Sequence, residues 1–276
     1  MKAVILAGGY GSRISEESAI RPKPLVEIGG HPIIWHIMKI YAHFGVTDFI
    51  VCCGYKGWML KQYFRDCLLL SGEVVFDFKT HETSWIRQDL EPWRVTLVDT
   101  GDDTMTGGRL RRVRHLLNDT FCLTYGDGVA DIQIDQLIEF HRAGNVLATV
   151  TAILPPGRFG TLQIDPDNRF VHGFREKNFV DSGLINGGFF VLEPAVIDLI
   201  EGDGTVWEQE PMQQLVAAGQ LQGYVHDGYW QNMDTIRDKE ILEECWKAGN
   251  APWTIWDGSQ RRTSQPALLV VQKGRP

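Results

Sequence analysis

A glycine-rich segment near the amino terminus has the residue types of a phosphate-binding loop. Residues 8–13 (GGYGSR) directly follow a short apolar run, residues 3–6. Glycines allow positive φ and close approach of the backbone, so the loop's N–H groups can surround a phosphate while Arg13 supplies charge. A dinucleotide fingerprint would need a glycine in place of Ile14, and no Gly-Lys-Ser or Gly-Lys-Thr sequence provides a Walker loop. The alternative is a structural turn at a strand end.

A lysine between two prolines follows shortly after the glycine loop. Pro22 and Pro24 each fix their own φ and restrict the residue before them, which holds Lys23 on a stiff, extended segment. Such a segment can direct an ammonium group at a phosphate. An exposed basic loop is the alternative, but the nearby glycine loop favours phosphate binding.

Two aspartates that are far apart in the sequence are candidates for holding a divalent metal. Asp127 lies between glycines after the apolar residues 121–125, and ligands of open α/β sheets bind at the carboxyl ends of strands. Asp234 is a candidate for the second carboxylate. Alternatives stay open: a tight turn for Asp127, a helix N-cap for Asp234, and a contribution from Asp131.

Other polar segments have side chains suited to a nucleoside and a sugar. Residues 100–109 form a polar, glycine-rich loop that could bond a nucleobase edge or be a mobile surface loop. Arg109 alone of the arginine cluster there is predicted as a ligand. Glu176, Lys177 and Asn186 suit sugar hydroxyls and a sugar phosphate, although residue type alone equally suits a surface.

The elements that must position these residues alternate between strand and helix. This alternation predicts an α/β fold with a mostly parallel sheet covered by helices, and a second half richer in strands. The predicted strands are residues 3–6, 49–53, 74–78, 95–98, 121–125, 148–154, 160–164, 170–175 and 187–192. The predicted helices are residues 32–44, 58–69, 194–200, 210–218 and 235–247, and a stray strand at 267–271 is expected in the polar tail.

Composition and charge exclude several classes of protein. Lys+Arg 27 against Asp+Glu 35 gives a formal net charge of -8, which argues against nucleic-acid binding. The apolar runs are far shorter than the ~20 residues of a membrane span, and glycine comes too early for a secretory signal. The five cysteines form no CxxC pair, so we expect reduced thiols in a cytoplasmic protein without a zinc site.

Taken together, these motifs resemble the signature of the sugar-1-phosphate nucleotidyltransferases, and most closely that of the glucose-1-phosphate cytidylyltransferases within that family. The resemblance covers residues 1–256 and leaves residues 257–276 as a tail of unknown role. The segments that carry the resemblance include Leu6-Ala7-Gly8-Gly9, Pro22-Lys23-Pro24, Tyr125-Gly126-Asp127-Gly128, Trp207-Glu208-Gln209-Glu210-Pro211 and Trp230-Gln231-Asn232-Met233-Asp234. Asn178 stands where the family usually has a proline after its Glu-Lys pair.

The resemblance implies a Rossmann-like nucleotide-diphospho-sugar transferase fold, with a nucleotide-binding half at about residues 1–130 and a strand-rich, sugar-binding half at about 131–256. The implied reaction joins CTP and α-D-glucose 1-phosphate to give CDP-glucose and diphosphate with Mg²⁺ as cofactor. The implied setting is dideoxysugar and O-antigen synthesis in the cytoplasm by a homo-oligomer such as a hexamer, with no nucleic-acid or membrane partner.

The resemblance also implies a role for each candidate residue. Arg13, Lys23, Asp127 and Asp234 are implied as catalytic, and the two aspartates as metal ligands. The implied nucleotide-binding residues are Leu6, Ala7, Gly8, Gly9, Tyr10, Gly11, Ser12, Arg13, Lys23, Thr104, Gly108, Arg109 and Gly126. The implied sugar-binding residues are Glu176, Lys177, Asn186, Gly187 and Trp230.

Other functions remain as alternatives on the sequence alone. The same reaction with dTTP or UTP is one, because base choice depends on a few hydrogen bonds in the 100–109 loop. A non-catalytic sensor of sugar nucleotides is another, disfavoured because Arg13, Lys23, Asp127 and Asp234 are all present. An epimerase or dehydrogenase is set aside because the dinucleotide fingerprint is absent.

Overall fold

The computed structural model describes residues 1–88, 90–155, 161–164, 171–175 and 183–257. Its strands are β1 (Lys2–Ala7), β2 (Glu27–Ile28), β3 (His31–Pro32), β4 (Asp48–Cys53), β5 (Gly72–Asp77), β6 (Glu82–Gln88), β7 (Arg94–Asp99), β8 (Phe121–Tyr125), β9 (Gly128–Ala130), β10 (Ala148–Ile153), β11 (Thr161–Ile164), β12 (Val171–Arg175), β13 (Ile185–Leu192), β14 (Leu221–His226) and β15 (Trp230–Asn232).

The helices of the described residues are α1 (Ser15–Ser18), α2 (Ile33–His43), α3 (Gly57–Leu70), α4 (Thr106–Arg112), α5 (Ile134–Gly144), α6 (Glu210–Ala217) and α7 (Ile236–Lys247). Short 3₁₀ turns lie at Ser12–Ile14, Lys23–Leu25, Arg114–Leu116, Pro194–Leu199 and Ile255–Asp257. Within the described ranges, no helix is both long and apolar enough to cross a membrane.

Seven strands form one central, mixed sheet. Their order is β14-β10-β13-β8-β1-β4-β7, and every neighbouring pair is parallel except the two that involve β13. Successive side chains of β1 alternate between two apolar clusters: Ala3 and Ile5 pack in one, Val4 and Leu6 in the other. A parallel strand that is buried on both faces needs such a continuous apolar run.

Parallel pairing gathers the loops after β1, β4, β7 and β8 at one edge of the sheet. The glycine segment of residues 8–11 follows β1, and the Gly126–Asp127 turn follows β8. The polar loop that begins at Thr100 follows β7, and the hydroxyl of Thr100 donates to Cys53 O at the end of β4. The predicted phosphate, metal and base segments therefore share this edge.

A small two-stranded sheet joins the distant parts of the sequence at this edge. β9 pairs antiparallel with β15, so that Gly128 faces Asn232. The pairing continues one step further, because Met233 N donates to Asp127 O at 2.8 Å. This short ladder brings Asp127 and Asp234 together across more than a hundred residues of sequence.

The predicted alternation of strands and helices is confirmed for the first half of the chain, where α2 and β8 lie within one residue of their predicted bounds. The helix predicted at 194–200 is wrong in type, since Pro194–Leu199 forms a 3₁₀ helix. Among the described elements, helices α1 and α5 and strands β2, β3, β6, β9, β14 and β15 had not been predicted. The strand expected at 267–271 lies outside the described residues.

Asp131 pairs with a histidine on β14. His226 Nε2 lies 3.1 Å from Asp131 Oδ1 and 3.2 Å from Tyr229 O. Burial opposes protonation of the imidazole, but the contacts with the Asp131 carboxylate and the Tyr229 carbonyl, together with the charge of Asp227, outweigh it and raise the pKa of His226 above 6.5. The structure thus gives Asp131 a partner other than a metal.

We expect this pair to make the stability depend on pH. Because the pKa of His226 is raised in the folded state, its stabilisation is complete below pH 6.5 and is lost as the pH rises through the raised value. Urea unfolding of the wild type and of His226→Gln at pH 6 and pH 8.5 measures this loss. The free energy of unfolding of the wild type should exceed that of His226→Gln by less at pH 8.5 than at pH 6. An equal difference at both pH values would contradict the expectation.

Candidate active site

A cleft of about 470 Å³ opens at the carboxyl edge of the sheet. Its walls are Leu6, Ala7, Gly8, Gly9, Tyr10, Gly11, Ser12, Arg13, Lys23, Pro24, Asp102, Asp103, Thr104, Met105, Thr106, Arg109, Tyr125, Gly126 and Asp127. All of the predicted nucleotide-binding residues except Gly108 are in this set. Gly108 lies in α4 against the backbone of Asp203, and its N–H donates to Thr205 O.

The glycine loop has a backbone that only small residues allow. Gly11 has φ 63°, which is the left-handed region, and its carbonyl accepts from Ser18 Oγ at 3.0 Å. A Cβ on Gly8 would lie 2.1 Å from the guanidinium of Arg109, so that this position has no room for a side chain. The loop therefore presents its backbone to the cleft.

Arg109 ties the glycine loop to the loop after β7. Its guanidinium donates to the carbonyls of Gly8, Cys53, Gly101 and Asp102 at 2.7–3.2 Å, and to the hydroxyl of Thr100 at 2.8 Å. The residue is only 4% exposed, and burial lowers the pKa of the guanidinium. These contacts hold two cleft walls at a fixed separation.

Replacing Arg109 by lysine should lower the free energy of unfolding by about 2–3 kcal/mol, because buried carbonyls lose charged donors that one ammonium group cannot replace. Urea denaturation measures the change. Arg142→Lys, at an exposed position in α5, is the matched control and should change stability by less than about 0.5 kcal/mol. An Arg109 variant as stable as its control would show that these hydrogen bonds do not hold the loops.

Lys23 lies at the centre of the candidate metal site. Its Nζ is 2.6 Å from Asp127 Oδ2 and 2.7 Å from Asp234 Oδ1. The lysine is 9% exposed and begins a 3₁₀ turn after Pro22, whose φ is -65°. The structure thus brings the two predicted carboxylates and the predicted lysine into direct contact.

The second carboxylate has further partners, because a different residue caps the helix that follows it. Thr235 caps α7 in a reciprocal pair with Asp238, so the N-cap alternative for Asp234 is wrong. Arg13 donates to Asp234 Oδ2 at 2.6 Å from a side chain that is 72% exposed. Asn232 Nδ2 donates to the same oxygen. Arg13 therefore reaches the candidate metal site from solvent.

The donor set at Lys23 fits a divalent metal ion. Two carboxylates converge there, and no group of three or more His, Cys, Asp or Glu side chains suited to a metal occurs in the described part of the chain. Mg²⁺ commonly uses one or two carboxylates and takes its other ligands from substrate phosphates and water. The two carboxylates already share the Lys23 ammonium group. When the substrates bring anionic phosphates to this position, a metal ion would help to balance their negative charge.

Three of the predicted sugar-binding residues also lie together, on β13 and β15. Trp230 Nε1 donates to Gly187 O at 2.7 Å. Asn186 Nδ2 donates to the hydroxyl of Tyr125 at 3.2 Å, which joins this group to the wall of the cleft. Glu176 and Lys177 lie outside the described residues.

Some cleft residues were not predicted from the sequence. Tyr125 and Thr106 line the cleft, and both donate hydrogen bonds to Glu208. Asp103 lines it too and accepts from the hydroxyl of Tyr10 at 2.8 Å. A signal was available for Tyr125, which is the last residue of a central strand before the glycine-aspartate turn. Glu208 lies in a segment that carries the family resemblance, but no local pattern indicates its contacts, because Thr106 and Tyr125 are 102 and 83 residues away in the sequence.

Residues 2–240 match the family model described as nucleotidyl transferase. The chain belongs to this family. A glucose-1-phosphate cytidylyltransferase of Salmonella typhi is 54% identical over 259 residues, which cover 93% of this chain and 100% of that protein. A Bacillus subtilis protein named "Probable glucose-1-phosphate cytidylyltransferase" is 43% identical and is also covered completely. The chain is therefore a nucleotidyltransferase, as predicted.

A solved structure supports the fold seen here. HddC from Yersinia pseudotuberculosis superimposes with a TM-score of 0.64 at 23% identity, over 89% of this chain and 99% of that one. The predicted nucleotide-diphospho-sugar transferase fold is confirmed by this likeness, by the family match and by the mixed sheet. The division into halves near residue 130 stays a prediction, since both halves contribute strands to one sheet.

Proposed function

We propose that this nucleotidyltransferase moves a cytidylyl group from CTP to α-D-glucose 1-phosphate, forming CDP-glucose and diphosphate. The observation that carries the proposal is the meeting of Asp127 and Asp234 on Lys23 beside the glycine loop. The choice of CTP and glucose 1-phosphate is supported by 54% identity along the whole length of the Salmonella typhi cytidylyltransferase.

The chemistry needs positioning more than proton transfer. An oxygen of the sugar phosphate attacks the α-phosphorus of CTP in line, the new P–O bond forms, and the bond to diphosphate breaks. A phosphate monoester is largely ionised near neutral pH, with a second pKa of about 6, so the nucleophile needs no general base. The rate then depends on alignment and on neutralising negative charge.

The groups that neutralise this charge line the cleft. The loop of residues 8–11 offers backbone amides to the triphosphate, and Arg13 and Lys23 add positive charge. Asp127 and Asp234 are the proposed ligands of Mg²⁺. Bound there, the ion would neutralise phosphate oxygens of both substrates and help to orient them.

The remaining proposed contacts divide between the two substrates. Leu6, Ala7, Gly8, Gly9, Tyr10, Gly11, Ser12, Thr104, Gly108, Arg109 and Gly126 are proposed for the nucleotide. For Gly108 and Arg109 we propose an indirect part, because their polar groups already bond to protein atoms. Glu176, Lys177, Asn186, Gly187 and Trp230 are proposed for the sugar phosphate.

Diphosphate release with glucose 1-phosphate and each of CTP, UTP, dTTP and GTP, with and without Mg²⁺, tests the proposal. We expect turnover with CTP to exceed that with the other nucleotides by at least tenfold and to require the metal. Faster turnover with UTP or dTTP than with CTP would show that the faster nucleotide is the substrate. Tight binding of CDP-glucose without any diphosphate release would instead favour a non-catalytic sensor.

We also propose a homo-oligomer, such as a hexamer, that works in the cytoplasm in dideoxysugar and O-antigen synthesis. Support for self-association comes from the hairpin of β5 and β6, where Phe76, Phe78 and Ile86 are 51%, 88% and 69% exposed. Apolar side chains at this density on one hairpin suit a protein contact. Light scattering after size-exclusion chromatography measures the mass, and a monomer would contradict the proposal.

A further inference from the structure

Glu208 connects two walls of the cleft without lining it. Its Oε1 accepts from the hydroxyl of Tyr125 at 2.5 Å, and its Oε2 accepts from the hydroxyl of Thr106 at 2.6 Å. Tyr125 and Thr106 both line the cleft, whereas Glu208 stands behind them. An ionised carboxylate has acceptors only, so it fixes which way each hydroxyl points.

The orientation of the Tyr125 hydroxyl in turn orients the side chain of Asn186. Because the phenol donates its proton to Glu208, it meets Asn186 with lone pairs, and Asn186 Nδ2 donates to it at 3.2 Å. The contact of the amide oxygen is consistent with this orientation, since Asn186 Oδ1 accepts from Gly188 N at 2.8 Å. Both the Oδ1 and the Nδ2 atom of the amide are therefore oriented, and within the described residues one N–H of Asn186 is left for another acceptor.

The backbone of this segment is shaped around the same tyrosine. Gly188 has φ 80°, and a Cβ there would lie 2.7 Å from the ring of Tyr125. The pairing of β10 with β13 shifts register between Val150 and Ala152, opposite this segment. Such irregularities re-aim side chains at the ends of strands. Trp230 holds Gly187 O from a second strand, so the segment is fixed on two sides.

We propose that Glu208 is a positioning residue for the sugar phosphate, acting through Tyr125 on Asn186. The inference rests on the proposed function, in which Asn186 contacts the sugar. The nucleotide wall has a separate anchor, because Thr106 Oγ1 also accepts from Trp207 N at 2.9 Å. Loss of the carboxylate should therefore disturb the sugar side more than the nucleotide side.

Steady-state kinetics of Glu208→Gln and Tyr125→Phe, with CTP and glucose 1-phosphate varied in turn, test this role. Glutamine keeps the shape but can donate or accept, so the direction of the hydrogen bonds is lost. We expect each variant to raise KM for glucose 1-phosphate about tenfold, the effect of one misdirected hydrogen bond, and to leave KM for CTP within about twofold. Glu210→Gln, at an exposed position two residues away, is the matched control and should change neither KM.

The double variant shows whether Glu208 acts on KM for glucose 1-phosphate through Tyr125 or independently of it. If Glu208 acts through Tyr125, Glu208→Gln with Tyr125→Phe should raise KM for glucose 1-phosphate no more than the larger single change. A multiplied increase of about a hundredfold would overturn the proposal, as would equal increases in both KM values. Should Glu208→Gln fail to fold, Tyr125→Phe alone decides: an unchanged KM for glucose 1-phosphate overturns the inference.

Failure of the proposed function has a different signature. A wild-type enzyme that releases no diphosphate from CTP and glucose 1-phosphate overturns the proposed function and this inference with it. An active wild type whose Glu208 and Tyr125 variants keep both KM values overturns this inference alone.

Discussion

Replacing Lys23 by alanine should lower kcat by roughly 10²–10³-fold, equivalent to about 2.7–4 kcal/mol of transition-state stabilisation. The loss has two sources. The reacting phosphates lose a buried positive group, and Asp127 and Asp234 lose the ammonium that contacts both of them. Two carboxylates left together without it repel each other and no longer keep their positions. Diphosphate release at saturating CTP and glucose 1-phosphate measures kcat directly.

Two comparisons show whether the loss of kcat in Lys23→Ala reflects the chemical step rather than unfolding or a general effect of removing a lysine. Lys39→Ala is the matched control, because Lys39 pairs with Glu91 at 2.7 Å and does not line the cleft. Its kcat should stay within about twofold of the wild type. The thermal unfolding midpoint of Lys23→Ala shows whether the variant is folded at the assay temperature. A folded Lys23→Ala with activity within tenfold of the wild type would remove this lysine from the mechanism.

Asp127→Asn and Asp234→Asn should each lower kcat by at least 10²-fold, because each leaves the proposed cation with one carboxylate in place of two. The pair acts as one site, so the double variant should be only a few times slower than the slower single variant. Titration with MgCl₂ adds a second readout. Each single variant should need at least tenfold more metal for half-maximal rate than the wild type.

A neighbouring aspartate controls for the change of charge. Asp135→Asn alters an exposed residue of α5 whose carboxylate accepts from the adjacent Gln136 N. Its rate and metal requirement should match those of the wild type. Effects of Asp127→Asn and Asp234→Asn that multiply in the double variant would mean that the two carboxylates serve separate steps rather than one cation.

The sequence was informative wherever a local pattern determines structure. The apolar run of β1 and the glycines after it predict both the buried strand and the loop, because periodicity and backbone freedom are properties of neighbouring residues. The lysine between prolines likewise predicts a stiff segment. Asp127 was recognisable as the residue that follows a central strand at a glycine turn.

Features that depend on distant pairing could not be predicted from local patterns. β9 and β15 are three residues each, and they exist because each is the other's partner. The helix cap is a second example. Asp234 and Thr235 are both good N-caps by residue type, and only the reciprocal hydrogen bonds with Asp238 show that Thr235 is the cap. The role of Glu208 could not be predicted for the same reason, although its segment carries the resemblance, since that role comes from contacts with Tyr125 and Thr106.

The crystal structure of the enzyme with CTP and Mn²⁺ in place of Mg²⁺, located by its anomalous scattering, shows whether Asp127 and Asp234 together hold the metal. We expect a manganese peak bonded to one oxygen each of Asp127 and Asp234 and to CTP phosphate oxygens. Manganese bound to the phosphates with either carboxylate outside its coordination sphere would show that the two aspartates are not joint metal ligands.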